Sequence, residues 1–282
     1  MINSITDTIT LNDGTAFPRF GLGTYKMDDG RTVEDASRWA LEYGYRHIDT
    51  ASFYGNEAGV GQALRDCGIQ RNQMFITTKV WNADHGFDST LRACEASLRA
   101  LGLDYIDMYL MHWPGQNVDN RRRTWDAMQQ LQHQQKVRAI GVSNFTPEHL
   151  NDLISATGTA PSVNQVELHP LFPQKQLRQY AADHGIAITA WGPLLHGHLA
   201  QVPEAAAIGE AYGKTAAQVI LRWHLQNGIC IIPKSSRQHR IRENASIFDF
   251  ELSDAHMAAI NALEDGTHYG ADPDTMTYGF TS

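Results

Sequence analysis

Eight short β-type runs, each followed by an amphipathic helical pattern, alternate through 282 residues with no Ser/Pro-rich linker. A polar residue recurs at or near the C-terminal end of all but the first of these runs. Together these features predict an α/β protein with one domain over residues 1–282: a closed (β/α)8 TIM barrel with an N-terminal β-hairpin and an extra C-terminal helix. Length alone permits two domains, but single barrels commonly fill about 250 residues, and no composition break divides this chain.

The first element is a hairpin, "ITLNDGTAFPRF", with Asn12-Asp13-Gly14 at its turn. The strand candidates then run "GLGTYK", "HIDTA", "MFITTKV", "YIDMYLMH", "RAIGVSN", "SVNQVELH", "AITAWGPL" and "ICIIPKS". Between them, "STLRACEASLRALG" places Leu91, Cys94, Leu98 and Leu101 on one face and stops at Gly102. The same logic predicts helices in "TVEDASRWALEYG", "TWDAMQQLQHQQ", "TPEHLNDLISATG", "QKQLRQYAADHG" and "TAAQVILRWHLQNG". "HGHLAQVPEAA" is expected as a longer loop over the barrel mouth, and "SDAHMAAINALED" as the final helix before a tail. Two motif-like stretches are set aside. "GVGQAL" falls inside a helical pattern rather than at a strand-to-helix turn, and "GEAYGKT" is one residue short of a phosphate loop and follows no strand.

Composition narrows the function. A formal net charge of -8 argues against nucleic acid or an anionic membrane as partner, while a local basic patch for one phosphate stays open. The N-terminus lacks the basic start and apolar core of a secretory signal, and no apolar run reaches the roughly 18 residues that would span a bilayer, so a cytoplasmic protein is expected. Cys67, Cys94 and Cys230 have no CxxC spacing and read as core filling. The histidines form no HExxH, so no metal is expected.

In a barrel, all strand ends meet on one face, which is where active sites of this fold lie. Asp49, Lys79, His112, Asn144, Gln165, Trp191 and Lys234 therefore share a rim. Of these, Asp49, Lys79 and His112 form a proton-transfer set with Tyr54 from the loop after "HIDTA". An ammonium near the phenol is expected to draw the Tyr54 pKa down, Asp49 to hold Lys79 charged, and His112 to orient a carbonyl oxygen. That set suits carbonyl reduction. Taken singly, each residue has a plainer reading: a cap, a rim ion pair, a structural histidine, loop packing. Without a metal, the hydride must come from an organic cofactor. Lys234, Ser235 and Arg240 at the start of the last barrel helix suit the 2'-phosphate of NADPH.

The motifs "GLGTYK", "HIDTASFYGNE", "TKVW", "LMHWP", "GVSNF", "VNQVELHP", "WGPL" and "IPKSSRQHRIREN", in that order, resemble the aldo-keto reductases over essentially the whole chain. They are most similar to the bacterial branch of 2,5-diketo-D-gluconate and methylglyoxal reductases. The resemblance implies a barrel binding NADPH without a Rossmann domain. It makes Tyr54 the general acid, with Lys79 and Asp49 as its tuning pair and His112 orienting the substrate. It assigns the nicotinamide carboxamide to Ser143, Asn144 and Gln165, the ring to Trp191, the 2'-phosphate to Lys234, Ser235 and Arg240, and the adenine to Glu243 and Asn244. Gly23, Thr24, Pro193 and Leu194 would also line the cofactor. Tyr25, Phe53, Trp81, His112 and Trp113, with the tail, would wall a small-molecule carbonyl substrate, and a monomer is expected. Two departures stand out: Gly192 where serine is common, and Ser236 where valine is usual. Alternative functions are an NADPH-binding redox-sensing subunit and a Schiff-base aldolase using Lys79. Against the aldolase, an aspartate that keeps the amine protonated makes it a poor nucleophile.

Overall fold

The structure, a computed structural model, describes residues 2–280. A hairpin of β1 (Thr8–Thr10) and β2 (Ala16–Pro18) precedes the barrel. The barrel strands are β3 (Leu22–Gly23), β4 (His47–Asp49), β5 (Phe75–Val80), β6 (Ile106–Met111), β7 (Val137–Ser143), β8 (Val163–Glu167), β9 (Ala187–Trp191) and β10 (Cys230–Ile231). They pair in parallel in chain order, from β3 to β10. Bridges from Phe20 to Ile231 and from Gly23 to Lys234 close the ring. Seven of the eight runs read from the sequence contain one of these strands, and "RAIGVSN" misses only Val137 at the start of β7. β3 and β10 are the shortest. Pro233 has no N–H to extend β10, and the Thr24 N–H makes the last bond from β3 to β4, at the Asp49 carbonyl.

Around the sheet lie α1 (Arg31–Glu42), α2 (Glu57–Asp66), α3 (Phe87–Leu101), α4 (Val118–His133), α5 (Pro147–Thr157), α6 (Lys175–Asp183), α7 (Pro203–Glu210), α8 (Ala216–Gln226), α9 (Gln238–Ala245) and α10 (Asp254–Asn261). Their boundaries have local causes. Thr146 and Thr215 form capping boxes at the starts of α5 and α8, and α3 ends where Gly102 takes φ 67°. One expectation fails here. Residues 196–206 are not a single long loop over the mouth: two 3-10 turns lead into α7, which Pro203 opens at the first helical position and an alanine run sustains.

The pleat sorts the core into two parts. Residues at one parity face the barrel axis, and at the N-terminal end these are apolar: Phe75, Met108, Leu110, Ala139, Val163 and Cys230 form one buried cluster with Phe17 and Leu11 of the hairpin. Phe17 packs edge-on against His47 and Phe75, so the hairpin plugs the barrel floor. The opposite parity, including Ile48, Ile76, Tyr109, Met111 and Val142, packs outward against the helices. Toward the C-terminal end the inward positions turn polar. His47 and Asp49, Thr77 and Lys79, and Gln165 continue the same alternation, which brings chemistry-bearing groups to the mouth.

Candidate active site

Three inward residues meet at the rim. Lys79 Nζ donates to Asp49 Oδ1 at 2.6 Å and to the Thr50 carbonyl at 2.8 Å. It lies 3.5 Å from the Tyr54 hydroxyl. Lys79 has no exposed surface and Asp49 only 1%, so this is an ion pair inside the barrel. Burial pulls the Asp49 pKa up and the Lys79 pKa down, each against the attraction of the other. Asp49 Oδ2 accepts from Gln165 Nε2 at 2.7 Å, so both carboxylate oxygens are held.

The Tyr54 phenol does not behave as expected. Its pKa stands well above the ordinary tyrosine value, first because of burial and then because Asp49 and Tyr25 disfavour further negative charge. Lys79 is neutralised by the carboxylate beside it, so the phenol faces a pair with little net charge rather than a bare ammonium. Tyr54 therefore holds its proton firmly in this state. His112 is also shifted: burial, then Lys79 and His85, push its pKa far below the ordinary range and keep the imidazole neutral. Its ring meets that of Tyr54 edge-on at 5.6 Å, and Nδ1 is buried without a partner.

The loop carrying Tyr54 is pinned by a residue the sequence reading overlooked. Asn56 Nδ2 donates to the carbonyls of Thr24 and Met27 at 3.0 and 2.9 Å, and Oδ1 accepts from Thr50 Oγ1 at 2.8 Å. Tyr54 closes a 3-10 turn, Ser52–Tyr54, that Gly55 ends at φ 65°. The Gly-Asn-Glu stretch thus ties the loop after β4 to the loop after β3. Its last member, Glu57, is buried and accepts from Thr78 Oγ1 at 2.6 Å on the outer face of β5. The only sign of this in the sequence is an amide and a carboxylate directly after a turn glycine.

The residues assigned to a nicotinamide cluster as expected, with their polar atoms largely engaged by one another. Trp191 Nε1 donates to Asn144 Oδ1 at 2.8 Å, Asn144 Nδ2 to the His112 carbonyl at 2.9 Å, and Ser143 Oγ to the Gln165 carbonyl at 2.7 Å. Asn144 has φ 63°, a left-handed conformation that asparagine tolerates better than most residues. Pro193 and Leu194 follow β9 in the turn, while Gly23 and Thr24 line the β3 end. Gly192 sits at φ 61°, and a Cβ there would come within 2.7 Å of His196 Nε2, so the serine common at this place would be strained and crowded. Lys234 and Arg240 are exposed near the N-terminus of α9, and Ser235 Oγ accepts from the Arg237 N–H at 3.1 Å. Asn244 is buried, and Glu243 Oε1 accepts from Thr215 Oγ1 at 2.7 Å. Ser236 is exposed, and nothing in the structure explains its presence.

Aromatic groups wall the opposite side. Phe53 stacks on Trp81 at 3.8 Å, Trp81 meets the His112 ring at 5.1 Å, and Tyr25 lies 5.0 Å from Tyr54. Trp113 is half-buried beside His112. The tail completes this wall. Tyr278 presents its ring edge-on to Phe53 and Trp81, and its carbonyl accepts from Asn82 Nδ2 at 2.8 Å.

The residue types at the rim fit a dinucleotide: a tryptophan beside amide side chains for a planar carboxamide ring, and two exposed cations at a helix start for a phosphate. The comparisons agree with this chemistry. A family model described as the Aldo/keto reductase family matches residues 19–265. The chain is 48% identical over 276 residues to a 9,11-endoperoxide prostaglandin H2 reductase of Trypanosoma cruzi, covering 96% of each chain. It is 47% identical over 278 residues to a glyoxal reductase of Bacillus subtilis, covering 99% of this chain and 100% of that one. Among solved structures, a Bombyx mori aldo-keto reductase in complex with NADP matches with TM-score 0.86 and 35% identity, over 93% of this chain and 94% of the other.

Proposed function

The chain belongs to the aldo/keto reductase family, and from that premise we propose that it reduces aldehyde or ketone carbonyls with NADPH, with Tyr54 as the proton donor. NADPH, when bound, supplies the hydride. The remaining chemistry falls to the residues at the rim. Trp191, Asn144, Ser143 and Gln165 would hold the nicotinamide end, Gly23, Thr24, Pro193 and Leu194 would line its path, Lys234, Ser235 and Arg240 would take the 2'-phosphate, and Glu243 and Asn244 would take the adenine.

The observation that carries this reading is the buried Lys79–Asp49 pair 3.5 Å from a protonated Tyr54 hydroxyl. A phenol that holds its proton at neutral pH is an acid in waiting. It need release the proton only when a carbonyl oxygen becomes an alkoxide, a far stronger base. The phenolate left behind then lies next to the Lys79 ammonium, which Asp49 keeps charged and fixed. His112, held neutral, can offer one N–H to the same oxygen and aim it at Tyr54. The products are the alcohol and a phenolate that solvent reprotonates.

Phe53, Trp81, Trp113, Tyr25 and Tyr278 favour a flat or apolar substituent on the carbonyl. The test is consumption of NADPH, and separately of NADH, with a 2-oxoaldehyde, an aromatic aldehyde and a β-keto ester. Turnover with at least one aldehyde, faster with NADPH, is expected. Tight NADPH binding with no turnover on any of them would favour a redox-sensing subunit instead.

A further inference from the structure

Glu167 ends β8 in the inward register, opposite Trp191 in the β8–β9 ladder, yet the chemistry above makes no use of it. The residue is 5% exposed, and both carboxylate oxygens are taken by a distant part of the chain. Oε1 accepts from the Tyr269 N–H and Oε2 from the Gly270 N–H, each at 2.8 Å. His169 Nε2 lies 3.2 Å from Oε1 and His196 Nε2 4.0 Å. Burial opposes the charge, but His169 and the two backbone donors outweigh it and hold this carboxyl below the usual range. Charge-assisted bonds of this kind are about twice as strong as neutral ones.

The contact is close on both sides. Any Cβ at position 270 would overlap the six-membered ring of Trp191 and lie 2.8 Å from Glu167 Oε2, so only glycine lets the strand of tail pass. Beyond this point residues 271–280 cross the mouth, and single side-chain donors hold them: Gln116 to the Asp274 carbonyl and Asn82 to the Tyr278 carbonyl. Among the described residues, no other side chain takes two backbone N–H groups from residues 268–280.

We propose that Glu167 is a positioning residue that fastens the C-terminal segment as a strap over the mouth, so that Tyr278 forms part of the substrate wall. This rests on the carbonyl-reductase reading. Releasing the strap loosens the wall around the substrate and leaves the Tyr54, Lys79 and Asp49 geometry intact, which separates KM from kcat.

The experiment compares wild type, Glu167→Ala, Glu167→Gln, Gly270→Ala, Tyr278→Ala and the Glu167→Ala/Tyr278→Ala double variant. Glu167→Ala is expected to raise the aldehyde KM about tenfold, with kcat and NADPH affinity within about twofold. Under native conditions, a protease should cut its residues 268–280 several-fold faster. Glu167→Gln, with one acceptor oxygen, should fall between, and Gly270→Ala, whose Cβ also meets the Trp191 ring, serves only as a second test of tail release, with cleavage as fast as in Glu167→Ala. In the Tyr278→Ala background, Glu167→Ala should add little to KM. Wild-type cleavage in both Glu167→Ala and Gly270→Ala, or a wild-type KM in Glu167→Ala, would overturn the proposal, as would fully additive KM effects in the double variant. Proteolysis needs no turnover, so the strap can pass or fail even if no carbonyl is reduced.

Discussion

Lys79 sits in a place where an unpaired ammonium could not remain charged. It has no exposed surface, and Asp49 at 2.6 Å is its counter-ion. Removing one partner of a buried pair typically costs about 3–5 kcal/mol, because the other charge is left stranded. Asp49→Asn should therefore lower the denaturation midpoint clearly and weaken turnover, since a Lys79 that sheds its proton no longer stabilises a Tyr54 phenolate. Unfolding curves and steady-state rates on the same variant check this. At the far side of the rim, Lys234 and Arg240 are exposed cations near the start of α9. Arg240→Ala should raise the KM for NADPH by about tenfold and leave that for NADH nearly unchanged, the signature of a lost contact to the 2'-phosphate. At this scale the side chains named from the sequence do meet at the rim, but one environment was misjudged. A lysine near a tyrosine suggests a lowered phenol pKa, whereas burial of the phenol, and then the nearby Asp49 carboxylate, push it up instead.

The elements most readily read from the sequence were those whose register follows from a buried face. The eight strands are buried on both faces, one parity filling the barrel and the other meeting the helices, so they read as short apolar runs between helical patterns without any knowledge of partners. The hairpin was visible from its Asn-Asp-Gly turn, although nothing local says that it plugs the floor. That role rests on Phe17 packing against His47 and Phe75. Phe17→Ala should cost about 3–5 kcal/mol, on the order of 10 °C in Tm, while the rate constants of the folded enzyme stay close to wild type; calorimetry with assays below the transition distinguishes the two effects. The segment after β9 was harder. Residues 196–206 lack an apolar period, so they read as a loop, and α7 is revealed only by Pro203 and the alanines after it. The tail was the least readable, because its anchor, Glu167, lies 102 residues before its first contact at Tyr269.

For the molecule as a whole, buried neutral histidines lower stability in acid, against the raised carboxyls of Asp49 and Glu57, which take up protons more readily when folded. Burial holds the pKa of His47 at about 3, of His85 at about 3 and of His224 at about 4. In the unfolded chain each would take up a proton near pH 6.5, so between that value and pH 4 the unfolded state binds more protons than the folded one. Stability is then greatest above about pH 6.5 and falls as pH drops, by up to about 1.4 kcal/mol per pH unit for each histidine. Chemical denaturation at pH 7.5, 6 and 5 should show a midpoint that declines steadily; a flat profile would contradict a net histidine effect.

The barrel also explains why the convergence of these rim residues could be read before any coordinates. Asp49, Lys79, His112 and Gln165 come from four separate strands, yet each follows the inward parity to a strand end, and the fold gathers those ends on one face. Tyr54 and Asn56 do not share that logic, since they ride a loop whose course depends on bonds to Thr24 and Met27. The claim that joins them is that the Tyr54 hydroxyl gives its proton to the carbonyl oxygen. Its most direct test is single-turnover reduction of an aldehyde by Tyr54→Phe preloaded with NADPH. The account predicts unchanged NADPH affinity and a reduction rate lower by about 10²- to 10⁴-fold. A rate within a few-fold of wild type would contradict it.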